Sequence, residues 1–114
     1  MTTDIENTKT VLTWLEGLEV QSGVSREDGL LRVAILADFC ALVEKQPDQI
    51  IDECLREADG AKKIRAKGRR FYADAIVEFE KQADGAVAER RQRANYIRSF
   101  LIHNAVLLQT SPLF

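Results

Sequence analysis

Val11, Leu12, Leu15 and Leu18 recur at three- and four-residue steps with Trp14 among them, which puts the apolar side chains on one side of a helix over about residues 8–18. Thr8 or Thr10 stands near its start. Gln21-Ser22-Gly23 reads as a turn, and Ser25-Arg26-Glu27-Asp28 resembles a capping box, with a hydroxyl ready for a free backbone N–H and a carboxylate three residues on. A second helix follows to about residue 45. Its apolar set of Leu31, Ala34, Ile35, Leu36, Phe39, Cys40, Leu42 and Val43 is broad, which predicts a central helix buried over more than half its girth. Pro47-Asp48 opens a third helix carrying Ile50, Ile51, Cys54 and Leu55, expected to end near Ala58 before Asp59-Gly60. Tyr72, Ala75, Ile76 and Phe79 define a fourth, whose start is left open by Gly68 and which ends at Asp84-Gly85. A last long helix covers about residues 86–104, with Ala94, Ile97, Phe100 and Leu101 facing inward. Pro112, in the apolar tail, suits a domain exit. No segment alternates with period two over β-branched residues, so the chain reads all-α.

At 114 residues this is one domain, residues 1–114, long enough to bury a core without disulfides or metals. Apolar residues make up 46% and charged residues 30%, too hydrophobic a mixture for wholesale disorder. No apolar run reaches the length of a membrane span, and the N-terminus lacks the basic start and apolar stretch of a signal peptide, so a cytoplasmic, membrane-free setting is expected. Cys40 and Cys54 have no Cys or His at metal-ligand spacing and read as small core residues. No metal site and no cofactor is expected.

Charge changes the picture. The formal net charge of -2 hides a chain whose residues 1–61 carry 5 Lys/Arg against 13 Asp/Glu, and whose residues 62–98 carry 11 against 5. Such asymmetry points to a polyanion-binding face set apart from a solubilising one. Two segments concentrate it. Residues 60–70 hold Lys62, Lys63, Arg65, Lys67, Arg69 and Arg70 with no acidic residue, and the start of the last helix holds Arg90, Arg91 and Arg93, with Arg98 further on. A helix N-terminus already favours an anion through its dipole and free N–H groups, and the planar guanidinium fork fits phosphate oxygens or a guanine edge. Gln92 and Asn95 are placed to meet adenine edges. The competing account is a solvated face in which the arginines of residues 90–93 pair with Glu89 and with the acidic N-terminal half of the chain.

Other chemistry is thin. His103 beside Asn104 suits capping or packing, while Trp14, Phe71, Tyr72, Tyr96 and Phe100 fall at core spacing. Glycine-rich phosphate loops, H-E-x-x-H, G-x-S-x-G and EF-hand patterns are absent from the sequence. Asp52 and Glu53, adjacent on a helix, diverge and do not make an acid/base couple. No enzyme activity and no small-molecule substrate is expected of this chain.

Trp14-Leu15 in the first helix, Ser25 through Phe39 in the second, Pro47-Asp48, and Arg93 through Phe100 followed by His103-Asn104-Ala105-Val106 stand in a characteristic order. In that order the chain resembles the SAM-like N-terminal core-binding domain of tyrosine recombinases, the phage-integrase family, in its archaeal-type branch. The pattern I-R-S-F followed by H-N carries most of the likeness, which spans nearly the whole chain. Departures are Asp28 and Ala88 where the family has threonines, Arg32 where it has an aromatic, and Ser111-Pro112 in place of Asn-Pro.

The resemblance implies a compact orthogonal bundle of four to five helices that grips one side of duplex DNA, while a separate catalytic domain, absent from this chain, closes from the other side and supplies a tyrosine nucleophile. It implies a monomer alone and a tetramer on DNA for the full-length parent. On this reading the DNA contacts are Arg90, Arg91 and Arg93, then Lys62, Lys63, Arg65, Lys67, Arg69 and Arg70, with Arg26 and Arg32 as outlying members. It requires that the two basic segments fold into one continuous strip. The alternative is a helical protein-interaction module whose basic face docks an acidic partner.

Overall fold

Trp14, Phe39, Tyr72 and Phe100 lose all solvent contact and belong to one core. The computed structural model describes residues 5–107. The tail carrying Pro112 lies outside these residues.

A 3-10 turn (Ile5–Asn7) leads into α1 (Lys9–Ser22), which buries Val11, Trp14, Leu15 and Leu18 on the expected stripe. The helix runs past Leu18 because nothing stops it before Gly23, whose φ of 66° is left-handed and whose N–H returns to the Glu19 carbonyl. Next comes α2 (Arg26–Val43), with Ser25 at its N-cap accepting from the Asp28 N–H at 3.1 Å. Its buried residues are Gly29, Val33, Leu36, Phe39 and Cys40, a stripe narrower than expected. Leu31, Ala34 and Leu42 face solvent instead. The position remains central: α2 packs on α1, α4 and α5.

Pro47 occupies the first turn of α3 (Pro47–Cys54), and the Gln46 N–H donates to the Gln49 side chain at 2.8 Å. The expected end near Ala58 is corrected: the chain leaves the helix at Leu55 and forms an antiparallel hairpin, β1 (Leu55–Ala58) and β2 (Ala61–Ile64). Asp59 and Gly60 both take positive φ, 53° and 79°, the backbone that a two-residue hairpin loop demands. The chain is therefore mostly helical, with one small two-stranded sheet among the described residues.

The last two helices are α4 (Ala66–Gln82), burying Tyr72, Ile76 and Phe79, and α5 (Val87–His103), burying Ala94, Ile97, Phe100 and Leu101. Phe79 meets Phe39 edge-on at 5.4 Å between ring centres. No helix among the described residues is long and apolar enough to cross a membrane.

Gly68 explains how α4 begins. A Cβ there would lie 1.9 Å from the Glu53 carbonyl oxygen, so the first turn of α4 rests directly on the backbone at the end of α3. Arg65 closes the same corner by donating its N–H to the Cys54 carbonyl at 2.7 Å and its Nε–H to the Leu55 carbonyl at 3.1 Å. In an exposed helix Gly→Ala is stabilising by about 1 kcal/mol. Gly68→Ala is expected to do the reverse, lowering the free energy of unfolding by roughly 2 kcal/mol or more through overpacking against backbone. Urea unfolding of the two chains measures this, and a variant as stable as the parent would refute the close approach.

Candidate nucleic-acid interface

The basic residues fall into three settings, and the first correction is spatial. Only residues 83–86 separate α4 from α5, so the end of α4 lies beside the start of α5, and the Arg93 guanidinium sits 5.1 Å over the Phe79 ring. At the other end of the pair, Arg69 Nη1 donates to the Leu107 carbonyl at 3.4 Å. Arg69 and Phe79 are separated by about 15 Å of helix axis at 1.5 Å per residue. The two basic segments thus occupy opposite ends of the α4–α5 pair and do not merge into the single strip that the sequence reading required.

At the start of α5 the core uses up much of the charge. Arg90 precedes Ala94 by four residues and Ile97 by seven, so helical spacing turns it inward; it is half-buried and its Nε is covered without a hydrogen-bond partner. Arg93 forms an ion pair with Asp38 at 3.2 Å. Arg98 donates to the Asn95 side chain at 2.8 Å and lies 3.9 Å from Glu80. Of the three arginines expected to lead DNA contact, Arg91 alone is exposed and has no ion pair among the described residues. The solvated-face account therefore holds for Arg93, whose partner Asp38 lies in the acidic half of the chain, while Arg98 meets Glu80 outside that half.

The outlying pair is engaged elsewhere. Arg32 stacks 4.6 Å over the Tyr96 ring, in a groove between α2 and α5 that also holds Gln92 and the carboxylates of Asp28 and Glu89. Arg26 shares a shallow depression with Glu16 and Glu19, so its surroundings are acidic.

The hairpin and the first turns of α4 differ. Lys62, Lys63, Lys67 and Arg70 are exposed, and among the described residues none has a carboxylate within ion-pair distance. Arg65 and Arg69 are held by backbone carbonyls, which orient a guanidinium and leave its charge intact. Arg56, absent from the sequence-based set, joins them because the register places it directly opposite Lys63. The signal for it was the Asp59-Gly60 pair, which sets a hairpin register once it is read as a turn between strands. On α4, Lys67 and Arg70 are three residues apart and face away from Tyr72 and Ile76. Its first turn carries no acidic residue, and no side chain caps it. The positive end of the α4 dipole adds to this cationic corner.

Beneath the corner, the Tyr72 hydroxyl donates to Glu53 at 2.7 Å and Lys45 pairs with Glu53 at 3.2 Å. The Tyr72 hydrogen bond, with help from Lys45, holds the Glu53 carboxyl below its usual range, while burial and Glu53 push the Tyr72 phenol up. Both groups are thereby locked into structural use. His103 packs its ring against Gly17, where an added Cβ would meet Nδ1 at 2.4 Å. Among the described residues no group of three His, Cys, Asp or Glu is placed to hold a metal ion. The chain matches no family model, no curated protein and no solved structure.

Two consequences can be measured. Arg93→Ala removes both the Asp38 ion pair and the Phe79 contact and is expected to cost about 1 kcal/mol of stability; Arg91→Ala is expected to change it by less than about 0.5 kcal/mol. Equal effects in thermal melts would contradict the division between them. Burial pushes the Cys40 thiol up to about 12 and the Cys54 thiol up to about 11, from an ordinary 9.0. Above pH 9 the unfolded thiols ionise while the folded ones keep their protons. The folded state then binds more protons, so the thiol contribution to stability is constant below about pH 8 and is lost as pH rises from about 9 towards 11 for Cys54 and 12 for Cys40. Replacing both cysteines with alanine should flatten that part of the stability profile measured in urea.

Proposed function

We propose that this chain is a duplex-DNA-binding domain of the kind found as the N-terminal, core-binding half of site-specific tyrosine recombinases, acting in the cytoplasm during DNA integration or recombination. The observation that carries the reading is the cationic corner, where Arg56, Lys63, Lys67 and Arg70 are exposed with no carboxylate within ion-pair distance among the described residues, while Lys62, also exposed, stands cross-strand from Glu57. Like charges that outnumber the nearby carboxylates of Glu57 and Asp59 repel one another, and a phosphate backbone relieves that repulsion by releasing its own counterions. The two basic segments do not form one strip, so the reading rests on this corner alone; Arg65 and Arg69 reinforce its field, and Arg91 stands apart at the far end of α5.

The family likeness supports the same reading through packing. Trp14 of the first helix donates to Ser99 within the I-R-S-F stretch, and Asn104 of the H-N pair donates to the Thr10 carbonyl. The residues that carry the likeness thus meet one another across the bundle. On this reading catalysis belongs to a separate domain of the parent protein, whose tetramer assembles on DNA, and this chain alone is a monomeric binding module.

A labelled duplex titrated with the chain tests the proposal. Binding on the order of micromolar or weaker at physiological salt is expected, with log K falling against log salt by about 0.9 for each phosphate neutralised. Binding to poly-glutamate as tight as to duplex, or tighter, would favour a module that docks an acidic protein.

A further inference from the structure

We infer that the outward face of the β1–β2 ribbon is an element that lies face-on in the major groove of duplex DNA, an inference that rests on the DNA-binding reading. The register divides the ribbon into two unlike faces. On one, Leu55 pairs with Ile64 and Glu57 with Lys62. Leu55 is buried and Ile64 half-buried against the core, so this face is turned inward. Alternation then sends Arg56 and Lys63 outward as a cross-strand pair, followed by Ala58 opposite Ala61.

That outward face carries two cations, two methyl groups and no acidic or bulky side chain. A like-charged pair directly opposite destabilises a hairpin, so the arrangement is favourable only when an anion lies over it. The small residues beyond the pair allow close approach and offer methyl surface of the kind that meets a thymine methyl. Strands about 4.8 Å apart make a ribbon that fits a groove about 12 Å wide and not one about 6 Å wide. Asp59 stands at the tip, which disfavours tip-first entry between phosphates. The two positive side chains also disfavour pairing of the ribbon edge with a second copy.

The base of the ribbon is fixed where a reading element needs rigidity. Arg65 bonds to the carbonyls of Cys54 and Leu55, and Gly68 presses on Glu53. From that base α4 leads away with Lys67 and Arg70 on its outer side. With the ribbon in the groove, these two side chains meet the phosphates of the adjoining strand.

The test compares the full chain with an R56A/K63A variant on a short labelled duplex. The variant touches no buried residue, and its helical circular dichroism should match that of the parent. Its affinity is expected to fall about tenfold or more at physiological salt. On the unaltered chain, methyl green, a major-groove ligand, should displace the protein, and netropsin, a minor-groove ligand, should not. A parent that binds duplex while the variant binds equally well would overturn the ribbon assignment alone, as would displacement by netropsin and not by methyl green. A parent that fails to bind duplex, or prefers poly-glutamate, would overturn both this inference and the DNA-binding reading.

Discussion

Trp14 donates its indole N–H to the Ser99 hydroxyl at 3.0 Å and sets its ring edge against Phe100 at 5.6 Å between centres, and these contacts hold the first helix against the last. A buried indole N–H left without a partner costs about 1–3 kcal/mol, and the edge-on ring pair adds about 0.5–1.5 kcal/mol beyond its area. His103 packs over Gly17 because only a residue without a side chain leaves room for the imidazole. Thr10 is the junction of the whole assembly. Its N–H and hydroxyl go to Asp48 of α3, and its carbonyl accepts from Asn104 after α5. Asp48 also supplies negative charge at the start of α1, whose own first turn has none. Once α1 and α5 are clamped, α3 is fixed by Asp48, and the hairpin at its end has one place to go.

The same clamp decides what the arginines do. With Ala94, Ile97 and Leu101 committed to the core, the inward stripe of α5 extends back to Arg90, and Arg93 stands where α2 and α4 come together. Position on a packed helix, and not the density of positive charge along the chain, determines whether a guanidinium is available. Arg91, one residue from Arg90, is free because one step rotates a side chain by 100°.

The helices were legible because each carries its own apolar period: the Trp14, Tyr72 and Ile97 stripes all lie inside. The width of the α2 stripe was overread, since Leu31 and Leu42 are apolar residues that a small domain leaves on its surface, and composition does not reveal which apolar positions find a partner. The hairpin was missed because four-residue strands carrying Arg56, Glu57, Lys62 and Lys63 have no hydrophobic alternation; their signature is the Asp59-Gly60 turn, which also suits the end of a helix. Charge density along the chain singled out the Lys62–Arg70 segment, in which Lys62, Lys63, Lys67 and Arg70 are exposed. What it did not supply was distance, because whether two clusters merge depends on helix directions set by contacts between residues such as Thr10 and Asn104, 94 positions apart.

Neutralisation is the property that separates the two ends of the α4–α5 pair. At one end Arg93 faces Asp38 and Arg98 approaches Glu80, so each guanidinium has a counter-charge and the local field is weak. At the other, Arg65 and Arg69 are positioned by carbonyl oxygens. A carbonyl accepts the hydrogen bond and fixes the geometry, yet carries no net charge to cancel the cation. The cost of ordering these long side chains is therefore met within the fold, while their attraction for an anion is kept. Guanidinium groups held by carbonyls beside exposed lysines distinguish the hairpin corner from the arginine-rich start of α5, where carboxylates take up the charge.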